Sequence, residues 1–134
     1  KYYFEDIGIR NAVVDFRQIE FTHIMENVVY NELRKLGYTV DVGSVESFKR
    51  DENGKLQRRN LEIDFVVNRH DERLYIQSAY ALPDQEKVDQ EQASLLNVND
   101  GFRKVIIVGD RYYSNYNEEG IMMMSLFDFL LGTK

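Results

Sequence analysis

The sequence predicts an α/β domain in which helices cover both faces of a mixed sheet. A helical stripe of apolar residues predicts a first helix over residues 22–36, with Gly37 as its stop. Two apolar segments joined through Asn53-Gly54 predict a hairpin, because Asn-Gly suits a tight turn between antiparallel strands. A later strand, helix and strand predict a right-handed crossover to a parallel neighbour. Antiparallel and parallel pairs together make the sheet mixed.

The individual elements follow from the side-chain pattern in chain order. After the first helix we expect strands at 38–45, 61–67 and 74–80, with short loops that make successive strands antiparallel. Pro83 then separates the third strand from a helix that begins after Asp84, a residue suited to an N-cap, and ends near residue 97. The remaining predicted elements are a strand at 104–108, a strand at 121–124, a helix at 126–131 and a short early helix near residues 8–16.

Length and composition predict one folded domain with a lead-in. A chain of 134 residues can bury a single core, and no repeat or low-complexity tract interrupts it. We expect residues 22–134 to form the domain and residues 1–21 to lead in from a preceding part of a longer protein, since the sequence lacks an initiator methionine. The sequence has no cysteine, so it has no disulfides and no thiolate metal sites. It also shows no signal peptide and no long apolar run, so we expect a cytoplasmic protein that does not enter a membrane.

Charge is distributed unevenly along the chain. The formal net charge of −6 argues against nucleic-acid binding over the whole surface, because phosphate binding depends on lysine and arginine. The segment 49–59 is an exception, because its basic residues outnumber its acids. The candidate phosphate contacts in it are Lys49, Arg50, Arg58 and Arg59. The alternative is a charged, solvated loop without a ligand.

Asp64 is the strongest candidate for a functional residue. Alternation along residues 61–67 places the odd-numbered residues on one face and Glu62, Asp64 and Val66 on the other. The strand is apolar enough to be covered on both faces, so an ionised carboxylate in it needs a metal, a cation or water as compensation. The alternative is an aspartate that is simply solvated.

Two more polar residues interrupt apolar patterns. Gln77 lies in the middle of the third predicted strand, where a buried amide needs hydrogen-bond partners and its oxygen can also act as a weak ligand of a hard metal. Glu26 lies at the edge of the apolar stripe of the first helix, and Glu32 lies near the centre of that stripe. At least one of the two glutamates must find a partner in the packed face. The alternative in each case is a structural hydrogen bond.

These residues stand in the order of a known family. Glu26 on a helix, Glu62-Ile63-Asp64-Phe65 on a strand and residues 75–80 on the next strand resemble the core of PD-(D/E)XK nuclease domains, also called restriction-endonuclease-like. In that family a helix glutamate and a strand aspartate are followed by Glu-x-Lys. Segments 2–12 and 25–33 also resemble the carboxy-terminal domain of unknown function that follows an AAA-type ATPase module in bacterial and archaeal proteins.

The resemblance implies a restriction-endonuclease-like fold and a specific chemistry. Glu26, Asp64 and Gln77 would be the catalytic residues, and Glu26 and Asp64 would hold Mg²⁺ for cleavage of a DNA phosphodiester. The upstream ATPase module would be a partner, and ATP would bind only there, since this sequence has no phosphate-binding glycine loop. Gln77 and Ala79 replace the acid and the lysine of Glu-x-Lys. Candidates to supply the missing ammonium are Lys87 and Lys35.

The sequence thus supports two functions of different classes. The first is a nuclease-like domain that binds nucleic acid, with an altered catalytic centre. The second is a non-catalytic module that docks onto the ATPase or another protein. The retained Glu26 and Asp64 favour the first function, whereas the acidic balance and the missing lysine favour the second.

Overall fold

The elements of the chain follow one another in the predicted order. The structure, a computed structural model, describes residues 13–132, with side chains described from residue 20 onward. The helices are α1 (Val13–Lys35), α2 (Gln85–Leu96) and α3 (Leu126–Leu131). The strands are β1 (Thr39–Arg50), β2 (Leu56–Arg69), β3 (Glu72–Ala79), β4 (Arg103–Val108), β5 (Asn115–Tyr116) and β6 (Met122–Ser125).

The strands pair into one mixed open sheet, ordered β1-β2-β3-β4-β6-β5. β1, β2 and β3 are antiparallel neighbours, as predicted. β3, β4 and β6 are parallel neighbours, so the predicted parallel pairing of the two strands that α2 connects, β3 and β4, is confirmed. The short edge strand β5 pairs antiparallel with β6 in a segment where we predicted no strand. The α/β class with a mixed sheet is therefore established.

Several boundaries differ from the sequence-based ones. α1 includes Val13–Lys35, whereas the sequence predicts the start of the first helix at residue 22. The division into a lead-in at 1–21 and a domain at 22–134 stays a prediction. The early helix predicted near residues 8–16 overlaps the start of α1, and its first part lies outside the described residues. Asp84 caps α2 as predicted, because its carboxylate accepts the Lys87 N–H at 2.9 Å.

Hydrophobic clusters lie on both faces of the sheet, so helices cover both faces as predicted. The α1-side cluster contains Met25, Val29 and Leu33 from successive turns of α1. The α2-side cluster contains Leu95 of α2 and Ile106 of β4. Each such buried side chain contributes roughly 1.5–3 kcal/mol of transfer free energy. Among the described residues, no helix is both long enough and apolar enough to cross a bilayer.

A β-bulge interrupts the pairing of β1 with β2. Asp41 pairs with Val66 and Gly43 pairs with Ile63, so β2 carries one residue more than β1 between these pairs. An extra residue reverses the alternation of side chains along the strand. Phe65 accordingly packs in the α1-side cluster and Ile63 in the α2-side cluster. The prediction that the odd-numbered residues of 61–67 share one face is therefore wrong at Ile63.

Candidate functional site

The strands β2 and β3 separate where Asp64 and Gln77 lie, and side chains replace the missing backbone hydrogen bonds. The β2–β3 ladder reaches only as far as Phe65 and Ile76. Beyond it, the Asp64 N–H donates to Gln77 Oε1 at 2.6 Å, and the Ser78 N–H donates to Asp64 Oδ2 at 2.9 Å. The Ser78 hydroxyl lies 3.4 Å from the same oxygen. We call this arrangement of Asp64, Gln77 and Ser78 the β2–β3 bridge.

Gln77 faces α2 and uses both ends of its amide. The side chain is 7% exposed, and the residues two positions before and after it, Tyr75 and Ala79, belong to the α2-side cluster. Its Oε1 accepts the Asp64 N–H, and its Nε2 lies 3.4 Å from the Glu91 carbonyl oxygen of α2. The hydrogen bonds required of a buried amide are thus present.

Glu26 and Asp64 line one cavity of about 280 Å³ between α1 and the bulged part of the sheet. Asn27, Tyr30 and Asp41 line it as well. The sequence pattern did not identify Asp41 as a candidate. The feature that could have done so is its position as an acid between Val40 and Val42 in a predicted strand. Gln77 is not part of this lining. The structure therefore brings two of the three predicted catalytic residues to a common cavity and leaves Gln77 on the other face of the sheet.

The carboxylates of this cavity do not form a cluster of three metal ligands. Mg²⁺ needs oxygen ligands in a near-octahedral arrangement at about 2.0–2.1 Å, and proteins often supply only one or two carboxylates of that set. Among the described residues, no three acidic or histidine side chains come close enough together to hold a metal ion. In addition, Asp64 Oδ2 already accepts the Ser78 N–H. Magnesium binding by Glu26 and Asp64 stays a prediction.

An uncharacterized protein of Haemophilus influenzae is similar to nearly the whole chain. The two are 32% identical over 131 residues, which make up 98% of this chain and 28% of that protein. The chain thus spans 28% of the length of this relative. No family model matches the sequence. No solved structure matches it either.

Position 79 carries no ammonium group, although a cavity adjoins it. Ala79 is 4% exposed and packs in the α2-side cluster with Ile63 and Leu95. It also lines a cavity of about 380 Å³ that Glu86 and Glu91 line as well. The methyl side chain of Ala79 therefore supplies no charge to this cavity.

The two candidate replacement lysines lie in different places. Lys87 lines a cavity of about 380 Å³ together with Ser78, the residue that holds the Asp64 carboxylate. Its ammonium lies 3.1 Å from Glu91 Oε2, so the charge has a partner. Lys35 lines another cavity, between α1 and α3. Of the two, Lys87 is the one that shares a cavity with the β2–β3 bridge.

The basic segment 49–59 is a β-hairpin rather than a loop. The β1–β2 ladder continues to the Arg50–Leu56 pair, whereas the pairing of β2 with β3 stops at Phe65. Residues 52–60 are all exposed. At its tip the Lys55 and Asn53 N–H groups donate to Asp51 Oδ1, and these bonds, that of Lys55 first, hold the pKa of Asp51 below its usual value. We call residues 44–62 the basic hairpin.

The cations of the basic hairpin are divided between its two faces. Lys49 and Arg59 share one face, because their cross-strand partners are Gln57 and Ser47. Within the described residues, neither has a hydrogen-bond or ion-pair partner. On the other face, Arg58 lies 3.3 Å from Glu46 Oε2. Arg50 is also engaged, since it donates to the Gly54 carbonyl at 2.8 Å. Of the four cations that the sequence predicts as phosphate contacts, Lys49 and Arg59 are thus the ones most available to a ligand.

Proposed function

We propose that this chain is a nuclease-like domain without metal-dependent cleavage that binds nucleic acid through the basic hairpin. The element order supports a restriction-endonuclease-like fold, since a helix, an antiparallel meander, a helix and a parallel strand follow one another. The AAA-type ATPase module that the resemblance implies, with its bound ATP, belongs to the same proposal. Fold likeness alone does not give an activity, because one fold can carry many different sites.

The β2–β3 bridge is the observation that supports the loss of cleavage. Gln77 is a neutral amide whose oxygen accepts the Asp64 N–H. Asp64 in turn accepts the Ser78 N–H, so both residues hold strands together. Ala79 supplies no ammonium to orient a water molecule or to offset developing charge. Asp64 and Gln77, two of the three predicted catalytic residues, therefore have a structural use.

The basic hairpin is the observation that supports nucleic-acid binding. It carries exposed cations on an exposed two-stranded ribbon, and a two-stranded ribbon fits the major groove of DNA. Each phosphate contact made by Lys49 or Arg59 releases a counterion, so affinity must fall as salt rises. The net charge of −6 confines such binding to this part of the surface.

Fluorescence anisotropy of a labelled DNA duplex at several salt concentrations tests this proposal. We expect Lys49→Gln and Arg59→Gln each to weaken binding and to reduce the slope of log K against log salt by about 1. Arg34→Gln is the matched control, since Arg34 is also an exposed arginine but lies in the last turn of α1. Equal slopes for Arg59→Gln and Arg34→Gln would count against the hairpin, and absence of binding at low salt would rule out the nucleic-acid function.

A second candidate function is docking onto another protein, and an exposed aromatic surface favours it. Tyr112 and Tyr113 are 84% and 65% exposed, and Tyr112 stacks on Phe127 of α3 at 5.8 Å. Large exposed apolar patches commonly mark interaction sites. If the proposed ATPase module is the partner, Tyr112→Ser should change the ATP hydrolysis rate of the full-length protein. An unchanged rate would argue against this docking.

A further inference from the structure

A cavity of about 420 Å³ lies on the α1-side face of the sheet, between the last turns of α1 and α3. Its floor belongs to the core, since Ile76, Val105 and Ile107 are no more than 3% exposed. α3 has six residues and cannot cover the whole width of β3, β4 and β6. The volume of the cavity falls in the range of about 300–1,000 Å³ that is typical of small-molecule sites.

The walls of this cavity expose more apolar surface than packing within the domain explains. All but one of the residues of α3 are apolar, yet none is buried. Leu130 and Leu131 line the cavity and are 37% and 79% exposed. Leu36, which lines it from the end of α1, is 42% exposed. A ligand with an aliphatic part would remove these side chains from water.

Charged residues lie at the mouth of the cavity, at the amino-terminal ends of β3 and β4. Lys35 and Arg103 line it, and within the described residues neither has a hydrogen-bond or ion-pair partner. Glu72 also lines it, but its carboxylate accepts the Tyr38 hydroxyl at 3.0 Å and lies 3.3 Å from the Arg69 guanidinium. The charge of Glu72 is therefore already compensated.

The remaining charges favour an anion at the mouth. Lys35 and Arg103 are opposed there by Glu32, so the balance of the uncompensated groups is positive. Arginine suits this role because its planar group binds a carboxylate through two parallel hydrogen bonds. The polarity of the cavity thus runs from cationic at the mouth to apolar at the floor.

We propose that this cavity binds a small anionic amphiphile of the medium-chain carboxylate class. The aliphatic tail lies against Ile76 and Ile107, and the carboxylate lies between Lys35 and Arg103. This inference is independent of the proposed nucleic-acid function, because the basic hairpin leaves the sheet at the opposite end of β2. A site with an apolar interior and a few placed polar groups is the usual form of a small-molecule site.

Titration with decanoate, followed by isothermal calorimetry and by the methyl NMR signals of Ile107 and Met124, tests the proposal. Decyltrimethylammonium has the same chain with the opposite charge, and butyrate has the same head with a short chain. We expect decanoate to bind more tightly than either. Arg103→Gln should weaken decanoate binding about tenfold, as the loss of a charge-assisted hydrogen bond does. Arg59→Gln on the basic hairpin is the control and should leave the affinity unchanged.

A substitution that fills the cavity gives a second test. Leu130→Trp adds an indole at the exposed wall and should abolish decanoate binding without affecting DNA binding, whereas Leu96→Trp on the exposed side of α2 should affect neither. The proposal is overturned if decyltrimethylammonium binds as tightly as decanoate, if no amphiphile binds, or if Arg103→Gln and Leu130→Trp leave binding intact. Self-association that Leu131→Lys abolishes would instead make a second copy of the chain the occupant and would also overturn it.

Discussion

Replacement of Asp64 separates a structural role from a metal-binding role. In Asp64→Ala the Ser78 N–H loses the oxygen that it now reaches at 2.9 Å, and this donor belongs to a residue that is only 5% exposed. An unsatisfied buried donor costs about 1–3 kcal/mol. The contact of the Ser78 hydroxyl at 3.4 Å is long and adds little. We therefore expect the free energy of unfolding to fall by about 1–3 kcal/mol.

Asp64→Asn is the matched variant, because it keeps an oxygen in the same place and removes the charge. We expect it to lose less than about 1 kcal/mol, since a neutral acceptor still satisfies the Ser78 N–H. Gln77→Leu should resemble Asp64→Ala, because it leaves the Asp64 N–H without the acceptor that it now has at 2.6 Å. The melting temperature should fall by roughly 4–12 °C for Asp64→Ala and Gln77→Leu.

Thermal melts with and without saturating magnesium complete the assay. If the β2–β3 bridge is structural, magnesium leaves the melting temperatures of the wild type, Asp64→Asn and Asp64→Ala unchanged. A ligand that binds only the folded state raises its stability, so a bound metal would reveal itself in this measurement. If magnesium raises the melting temperature of the wild type but not that of Asp64→Asn, the role of Asp64 is not purely structural. That result would support a metal site at Glu26 and Asp64. If Asp64→Asn and Asp64→Ala destabilise the fold equally, the charge of Asp64 contributes to stability and the hydrogen bond does not.

Two further predictions concern the basic hairpin and the bulge. The pKa of Asp51 is lower in the folded chain than its usual value of 3.8, so its stabilisation of the tip is present above that pH and is lost as the pH falls below it. The protection of the Asn53 and Lys55 amides, measured as exchange relative to the intrinsic rate at each pH, should therefore fall in acid, and Asp51→Ala should remove this pH dependence. A Cβ at Gly43 would lie 2.5 Å from a methyl carbon on β2, so Gly43→Ala should lower the free energy of unfolding by about 1–3 kcal/mol in chemical denaturation. Gly101→Ala, with nothing within 4 Å of its Cβ, should change it by less than about 0.5 kcal/mol.

The order and type of the main elements could be predicted from the sequence because local signals specify them. The stripe through Met25, Val29 and Leu33 repeats with the period of a helix, and these residues do form the buried face of α1. Asn53-Gly54 predicted the hairpin, and Gly54 adopts a φ of 78° in its turn. The strand predicted at 104–108 is present as β4, and its residues Val105–Val108 are buried.

The length of the hairpin and the boundaries of α1 could not be predicted in this way. Apart from Phe48 and Leu56, residues 46–50 and 56–60 are polar or charged, so their pattern does not distinguish a ribbon from a loop. They form strands because each strand supplies the backbone partners of the other, which is a non-local interaction. The sequence predicts the start of the first helix at residue 22 because the apolar stripe is clear only from there.

The candidate site required the tertiary structure for a related reason. The sequence by itself determined that Glu26, Asp64 and Gln77 are polar groups within apolar elements, and that Gln77 and Ala79 depart from the Glu-x-Lys pattern. Only the fold showed that a bulge lies next to Asp64, that Gln77 turns toward α2, and that Asp41 joins Glu26 at one cavity. A bulge arises when two strands pair out of step, and the register of one strand against another is not encoded in either strand alone.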